Sequence, residues 1–193
     1  MTRIDTDCVM AYGLRAHKNI LNSGLAQESE PLLKRRAMKI CSFLKREHIF
    51  LDIACSDKLS VLNYVADAGK QAGVIQNRET LLSGIMAREA IMSTGVGDGI
   101  ALPHTTSGEV SEACVLLIRL SKSIDFDSLD NLPVDIVLAL LIPESDMHLH
   151  LRILAGVSRL CKNPEFLKTI RKALDPGQLW QDLAALESKM DFH

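Results

Sequence analysis

Two nearly continuous apolar runs, residues 113–120 and 134–142, limit what this chain can fold into more than anything else in it. Both are rich in Val, Ile and Leu and lack the alternation of a strand with one wet face, so each reads as a strand covered on both sides. Such strands need helices above and below, and the flanking sequence supplies them. From Asp57, a helix-capping residue, the apolar positions Val61, Leu62, Val65, Ala66 and Ala72 recur at helical spacing until Gly73. A second helix starts near Asn77, sets Leu81, Leu82, Ile85 and Met86 on one face, carries Arg88 and Glu89 in its last turn, and stops before Gly95. Helical patterns follow over residues 147–161, 164–173 and 177–188, the last two parted by Asp175-Pro176-Gly177. Helices alternating with covered strands predict a three-layer α/β arrangement with helices on both faces of one sheet. Strand order is not legible.

A chain of 193 residues, 47% hydrophobic, can bury one sizeable core. The expected organisation is one domain over residues 38–193 preceded by an appendage, residues 1–37. In that appendage Gly13, Gly24, Pro31 and the basic run Lys34, Arg35, Arg36 show no sustained period, so an arm or a short helix is expected there. Lys+Arg 22 against Asp+Glu 24 leaves a formal charge of −2, without the cationic field of a nucleic-acid binder. The five cysteines, Cys8, Cys41, Cys55, Cys114 and Cys161, form no C-x-x-C pair and read as reduced thiols that fill the core. No stretch approaches the roughly 18 apolar residues of a membrane span. Asp5 and Asp7 near the start argue against a secretory signal, so the expected compartment is the cytoplasm.

The residues with chemical potential gather around one glycine-rich segment. Thr94-Gly95-Val96-Gly97-Asp98-Gly99 is too rich in glycine for an element interior, reads as a loop, and leads into Ile100-Ala101-Leu102-Pro103-His104. A proline restricts the approach to His104, and backbone N–H groups of Gly95, Gly97 and Gly99 can come close to an anion. An imidazole with an ordinary pKa of about 6.5 is largely neutral near pH 7 and can act as a nucleophile. The same spacing also fits a turn histidine with a satisfied hydrogen bond. Arg88, sixteen residues earlier, could neutralise a phosphoryl group on His104, or could form a surface ion pair with Glu89. Thr94 could donate its hydroxyl to the same phosphate or support the turn.

Met147-His148-Leu149-His150-Leu151 raises the question of a metal. Two positions apart on a helix the rings point about 200° apart and cannot share an ion; on a strand they would share a face. The long helical pattern favours the first case. It places His150 on the inward stripe with Leu154, Val157 and Cys161, and His148 on the outer face with Arg152 and Arg159. His150 then reads either as a partner for a second catalytic group or as a core histidine. The chain has no G-x-x-x-x-G-K-[ST] loop and no G-x-S-x-G turn, so a phosphate would arrive on another carrier rather than from a P-loop nucleotide.

Arg88-Glu89 together with Ser93-Thr94-Gly95-Val96-Gly97-Asp98-Gly99-Ile100-Ala101-Leu102-Pro103-His104 resembles the phosphorylation-site signature of the fructose/mannitol-type enzyme IIA domains of the bacterial sugar phosphotransferase system. The likeness runs from about Met38 to the last helix and includes the His150, Leu151, Leu154 pattern. It implies a mixed sheet between helices, a phosphorylated His104, a second active-site histidine at His150 and a site arginine at Arg88. It implies no metal and no organic cofactor. The donor it implies is HPr or an HPr-like phosphocarrier, and the acceptor is a IIB component or a regulatory target. Ser93-Thr94-Gly95 leans toward the nitrogen-regulatory branch, with the sugar-transport IIA component as the alternative. An interaction module that phosphorylation switches, and more remotely a metal-dependent hydrolase, are the readings from other classes.

Overall fold

The two apolar runs become the central antiparallel pair of a six-stranded mixed sheet, in a computed structural model that describes residues 39–190. The arm expected over residues 1–37 lies outside the described residues. In chain order the strands are β1 (Ile49–Ile53), β2 (Gly95–Gly97), β3 (Ile100–Ala101), β4 (His104–Ser107), β5 (Cys114–Ile124) and β6 (Val134–Pro143). The helices are α1 (Lys58–Gln71), α2 (Arg78–Ile91), α3 (Met147–Cys161), α4 (Pro164–Lys172) and α5 (Pro176–Met190). The sheet order is β1-β5-β6-β3-β2, with β4 continuing the line of β3 along β6. Strand β1 runs parallel to β5, and β3 and β4 run parallel to β6.

Every residue from Ile136 to Ile142 has no exposed surface, as a strand covered on both faces requires. Alternation divides the central side chains between two cores. Val115, Leu117, Leu138 and Leu140 pack with Ile153, Val157, Phe166 and Leu183 of α3 to α5. Leu116, Ile118, Val137, Ala139 and Leu141 pack with Val61, Val65, Leu81 and Ile85 of α1 and α2. The result is the three-layer sandwich that the sequence pattern predicts. Helix starts follow their caps: Asp57 and Ser60 form a reciprocal capping box on α1, Asn77 accepts from Glu79 and Thr80 on α2, and Asp146 accepts from Leu149 on α3.

Three elements differ from the sequence expectation. Strands β1 and β4 have no separate signal, because β1 is five residues long and half-buried and β4 reads His-Thr-Thr-Ser. The glycine-rich segment is a hairpin rather than a loop. Asp98 (φ 56°) and Gly99 (φ 81°) both lie in the left-handed region, which suits the mirror-image turns that join tightly paired antiparallel strands.

The register of β4 decides what its side chains meet. His104 pairs with Leu140, whose side chain belongs to the core of α3 to α5, and Thr105 pairs with Leu141, which belongs to the core of α1 and α2. Neighbouring side chains on a strand point to opposite faces. Among the described residues β4 pairs with β6 alone, so its other edge is open.

Candidate functional site

At that open edge three of the residues singled out from the sequence come together. The peptide leading to His104 is held on both sides: Leu102 N–H donates to Thr94 O (2.9 Å) and Leu140 N–H donates to Pro103 O (2.9 Å). The ring then bonds through both nitrogens. Arg88 Nε donates to His104 Nε2 at 2.9 Å, and Nδ1 lies 2.8 Å from Leu102 O. A guanidinium can only donate, so Nε2 accepts with its lone pair and the proton sits on Nδ1, bonded to the carbonyl. This is the tautomer with its nucleophilic nitrogen at Nε2.

Burial lowers the pKa of His104 below the ordinary imidazole value, since only 9% of the residue is exposed; the charge of Arg88 and the nearby His150 act in the same direction against the Leu102 carbonyl. The ring is therefore neutral near pH 7. Arg88 comes from the last turn of α2, where its Nη1 also donates to Met92 O (2.9 Å). His150 comes from the first turn of α3, its ring centre 5.4 Å from that of His104 and inclined at 61°. Burial and then Arg88 lower its pKa too, and its Nε2 is buried without a hydrogen-bond partner. His148 is exposed, as are Arg152 and Arg159 on the same face. The two imidazoles of the H-x-H segment thus part company, which removes the geometry of a shared ion.

The other residues of the motif take structural places. Thr94 gives its N–H and its hydroxyl to the Glu89 carboxylate rather than to the space beside His104. Glu89 is bonded by Lys58 (3.0 Å), not by Arg88, and Lys58 continues to Asp127 (2.7 Å). A side chain on Gly95 would strike Ser128, with Cα at 2.8 Å. Gly97 and Gly99 abut Asp130 and the Asp135–Arg171 ion pair respectively, beside the part of β6 that pairs with β3, and not the part that pairs with His104. The sequence pattern groups these glycines with His104; the hairpin sends Gly97 and Gly99 to the other end of the strand, while Gly95 pairs with Ala101 against Ser128.

An open cleft of about 730 Å³ lies at that other end, lined by Asp52, Arg119, Lys122, Asp135 and Arg171 among others. Its arginines are already engaged. Arg119 donates to the carbonyls of Ile170, Arg171 and Ala173 and to Asp52, and Arg171 makes a paired bond to Asp135. The edge of β4 is different: it offers a neutral imidazole with a lone pair on Nε2, a guanidinium touching that atom, and a second neutral ring with an unpartnered nitrogen. Exposed apolar side chains stand on the elements that carry them: Met86, Ile91 and Met92 at the end of α2, and Leu151 beside His150. An electrophile with anionic oxygens, delivered by a protein, suits that set.

The family model described as phosphoenolpyruvate-dependent sugar phosphotransferase system, EIIA 2, matches residues 42–185. A nitrogen regulatory protein of Bradyrhizobium diazoefficiens is 33% identical over 129 residues, which are 67% of this chain and 83% of that one. A fructose-specific EIIA component of Haloferax volcanii is 30% identical over 72% of this chain and 90% of its own length. In fold, the crystal structure of nitrogen regulatory protein IIA-Ntr from Neisseria meningitidis superposes with a TM-score of 0.70 at 24% identity, covering 75% of this chain and 98% of that one.

Proposed function

This chain belongs to the EIIA 2 family of the phosphoenolpyruvate-dependent sugar phosphotransferase system, whose members carry a phosphoryl group on histidine, and on that premise we propose that His104 Nε2 is the carrying atom. The observation behind the proposal is the lone pair on Nε2 held under the Arg88 guanidinium at 2.9 Å.

In the resting arrangement Arg88 covers the nucleophile. An incoming phosphohistidine, on HPr or an HPr-like carrier, presents oxygens that compete for the same donors, so Arg88 turns from nitrogen to phosphate oxygen as the donor's P–N bond breaks and the bond from phosphorus to Nε2 forms. The leaving electron pair returns to the donor imidazole. Positive charge that grows on the His104 ring is stabilised where Nδ1–H meets Leu102 O. His150, with Nε2 unpartnered, supplies a further donor to the phosphate when its proton is on that atom. Positioning and charge compensation account for most of the acceleration. The exposed apolar residues around the site serve as the docking face for the donor, and for the acceptor in turn.

Residues 38–193 form the transferring domain in this reading, and its compartment is the cytoplasm, where such a donor works. No helix among the described residues is long and apolar enough to cross a membrane. Ser93-Thr94-Gly95 and the 33% identical nitrogen regulatory relative favour a regulatory target as the acceptor; the fructose-specific relative favours a IIB component as the alternative. Incubation with phosphoenolpyruvate and the donor proteins should give acid-labile label on the wild type and none on His104→Ala. Label that persists in the variant rejects His104. Discharge of the label to a IIB component with sugar phosphate formation selects the transport branch.

A further inference from the structure

Arg88 stands in the layer of α1 and α2, whereas His104 turns toward the layer of α3 to α5, so the guanidinium meets the imidazole only by reaching around the open edge of β4. How closely α2 lies on β4 therefore sets that reach. The helix touches the strand at Gly84, one turn before Arg88 and on the same face. A Cβ at Gly84 would lie 2.7 Å from Thr105 Oγ1, closer than real Cβ atoms come to anything, and Thr105 is buried with its hydroxyl bonded to Thr106 O (3.2 Å). Nothing local calls for glycine inside a helix, where it costs about 1 kcal/mol relative to alanine.

We infer that Gly84 is a positioning residue for phosphoryl transfer: it lets α2 rest on Thr105, and this closeness brings Arg88 Nε to His104 Nε2. The inference rests on the reading of His104 as the carrying atom. It also predicts its own rescue. Behind the Thr105 hydroxyl the next atoms are Cβ at 3.6 Å and Cγ2 at 3.8 Å, ordinary contact distances, so Thr105→Ala makes room for a methyl group at position 84.

The test compares wild type, Gly84→Ala, Thr105→Ala and the double variant by two readouts, NMR titration of the His104 ring nitrogens and single-turnover acceptance of phosphate from the donor. In Gly84→Ala, acceptance should fall on the order of tenfold or more. His104 should titrate at higher pH, because the charge of Arg88 has withdrawn. The double variant should return both to wild type. Unchanged acceptance, or slower acceptance with an unchanged titration, would overturn the inference, since neither passes through Arg88. If Gly84→Ala does not fold, the double variant decides: wild-type titration and acceptance support the inference, and a shifted titration overturns it. The titration reads the Arg88–His104 geometry whether or not His104 carries phosphate. Absence of label on wild-type His104 would therefore sink the carrier reading separately.

Discussion

A histidine that attacks phosphorus must be neutral, and at His104 burial, helped by Arg88 and His150, keeps it so. The sign follows directly. A lowered pKa preserves the neutral ring as pH falls through about 6.5, so phosphate acceptance should stay level there and decline only at lower pH. A single-turnover pH profile whose acid limb sits at or above the ordinary imidazole value would count against this. Arg88→Ala removes a positive neighbour and should move that limb upward, while slowing acceptance by roughly 10²- to 10³-fold through loss of the donor to the phosphate oxygens. Both measurements come from one profile. Arg88, His104 and His150 were legible in the sequence as residue types in a motif. Their contact was not, since positions sixteen and forty-six residues from His104 meet it only through the register of β4 and the packing of α3. Lys58, Glu89 and Asp127 show the same limit: nothing at positions 58 and 127 signals that Lys58 closes on Glu89 beside Thr94 and that Asp127 closes on Lys58.

At the scale of elements, the two ends of α2 do different work. Asn77 caps its start and Arg88 serves the site at its finish. Asn77→Ala should therefore cost about 1 kcal/mol in urea unfolding and leave acceptance by the folded protein unchanged; a loss of transfer without loss of stability would show that the helix start is coupled to the site. The hairpin of β2 and β3 makes a sharper case. At Gly99 the backbone has φ 81°, and a Cβ would fall 2.6 Å from both Arg171 Nη2 and Asp135 Oδ1. Gly99→Ala should destabilise the fold by about 1–3 kcal/mol and spare transfer by the folded fraction. The opposite result, transfer lost at unchanged stability, would return Gly99 to the phosphate. Helix starts and inward faces could be read beforehand because caps and spacing are local. The hairpin is not legible because three glycines resemble a flexible loop until β3 pairs with β6 and β2 folds back on it.

Taken as a whole, the described residues include three histidines whose pKa values are each lowered first by burial, His48 and His104 in the interior and His150 half-buried beside the site. Each binds a proton more readily when unfolded, so stability is fully present above about pH 6.5 and is lost as pH falls through the lower folded values. The urea midpoint should drop between about pH 7.5 and about pH 5.5, before most carboxylates titrate. Equal midpoints would show that the three rings are not held neutral. His48 contributes from a place remote from any motif, buried with its Nδ1 3.1 Å from Cys114 Sγ. By itself the sequence determined the layers, the helices with their inward faces, the two central strands and the candidates for the reactive side chains, because periodicity, capping and residue chemistry act over a few neighbouring positions. Only the tertiary structure decided that β4 leaves an open edge at His104, that Arg88 reaches around that edge from one helical layer while His150 approaches from the other, and that Gly97 and Gly99 turn away. Those outcomes depend on strand register and on how closely α2 approaches β4, which are set by contacts between residues distant in the chain.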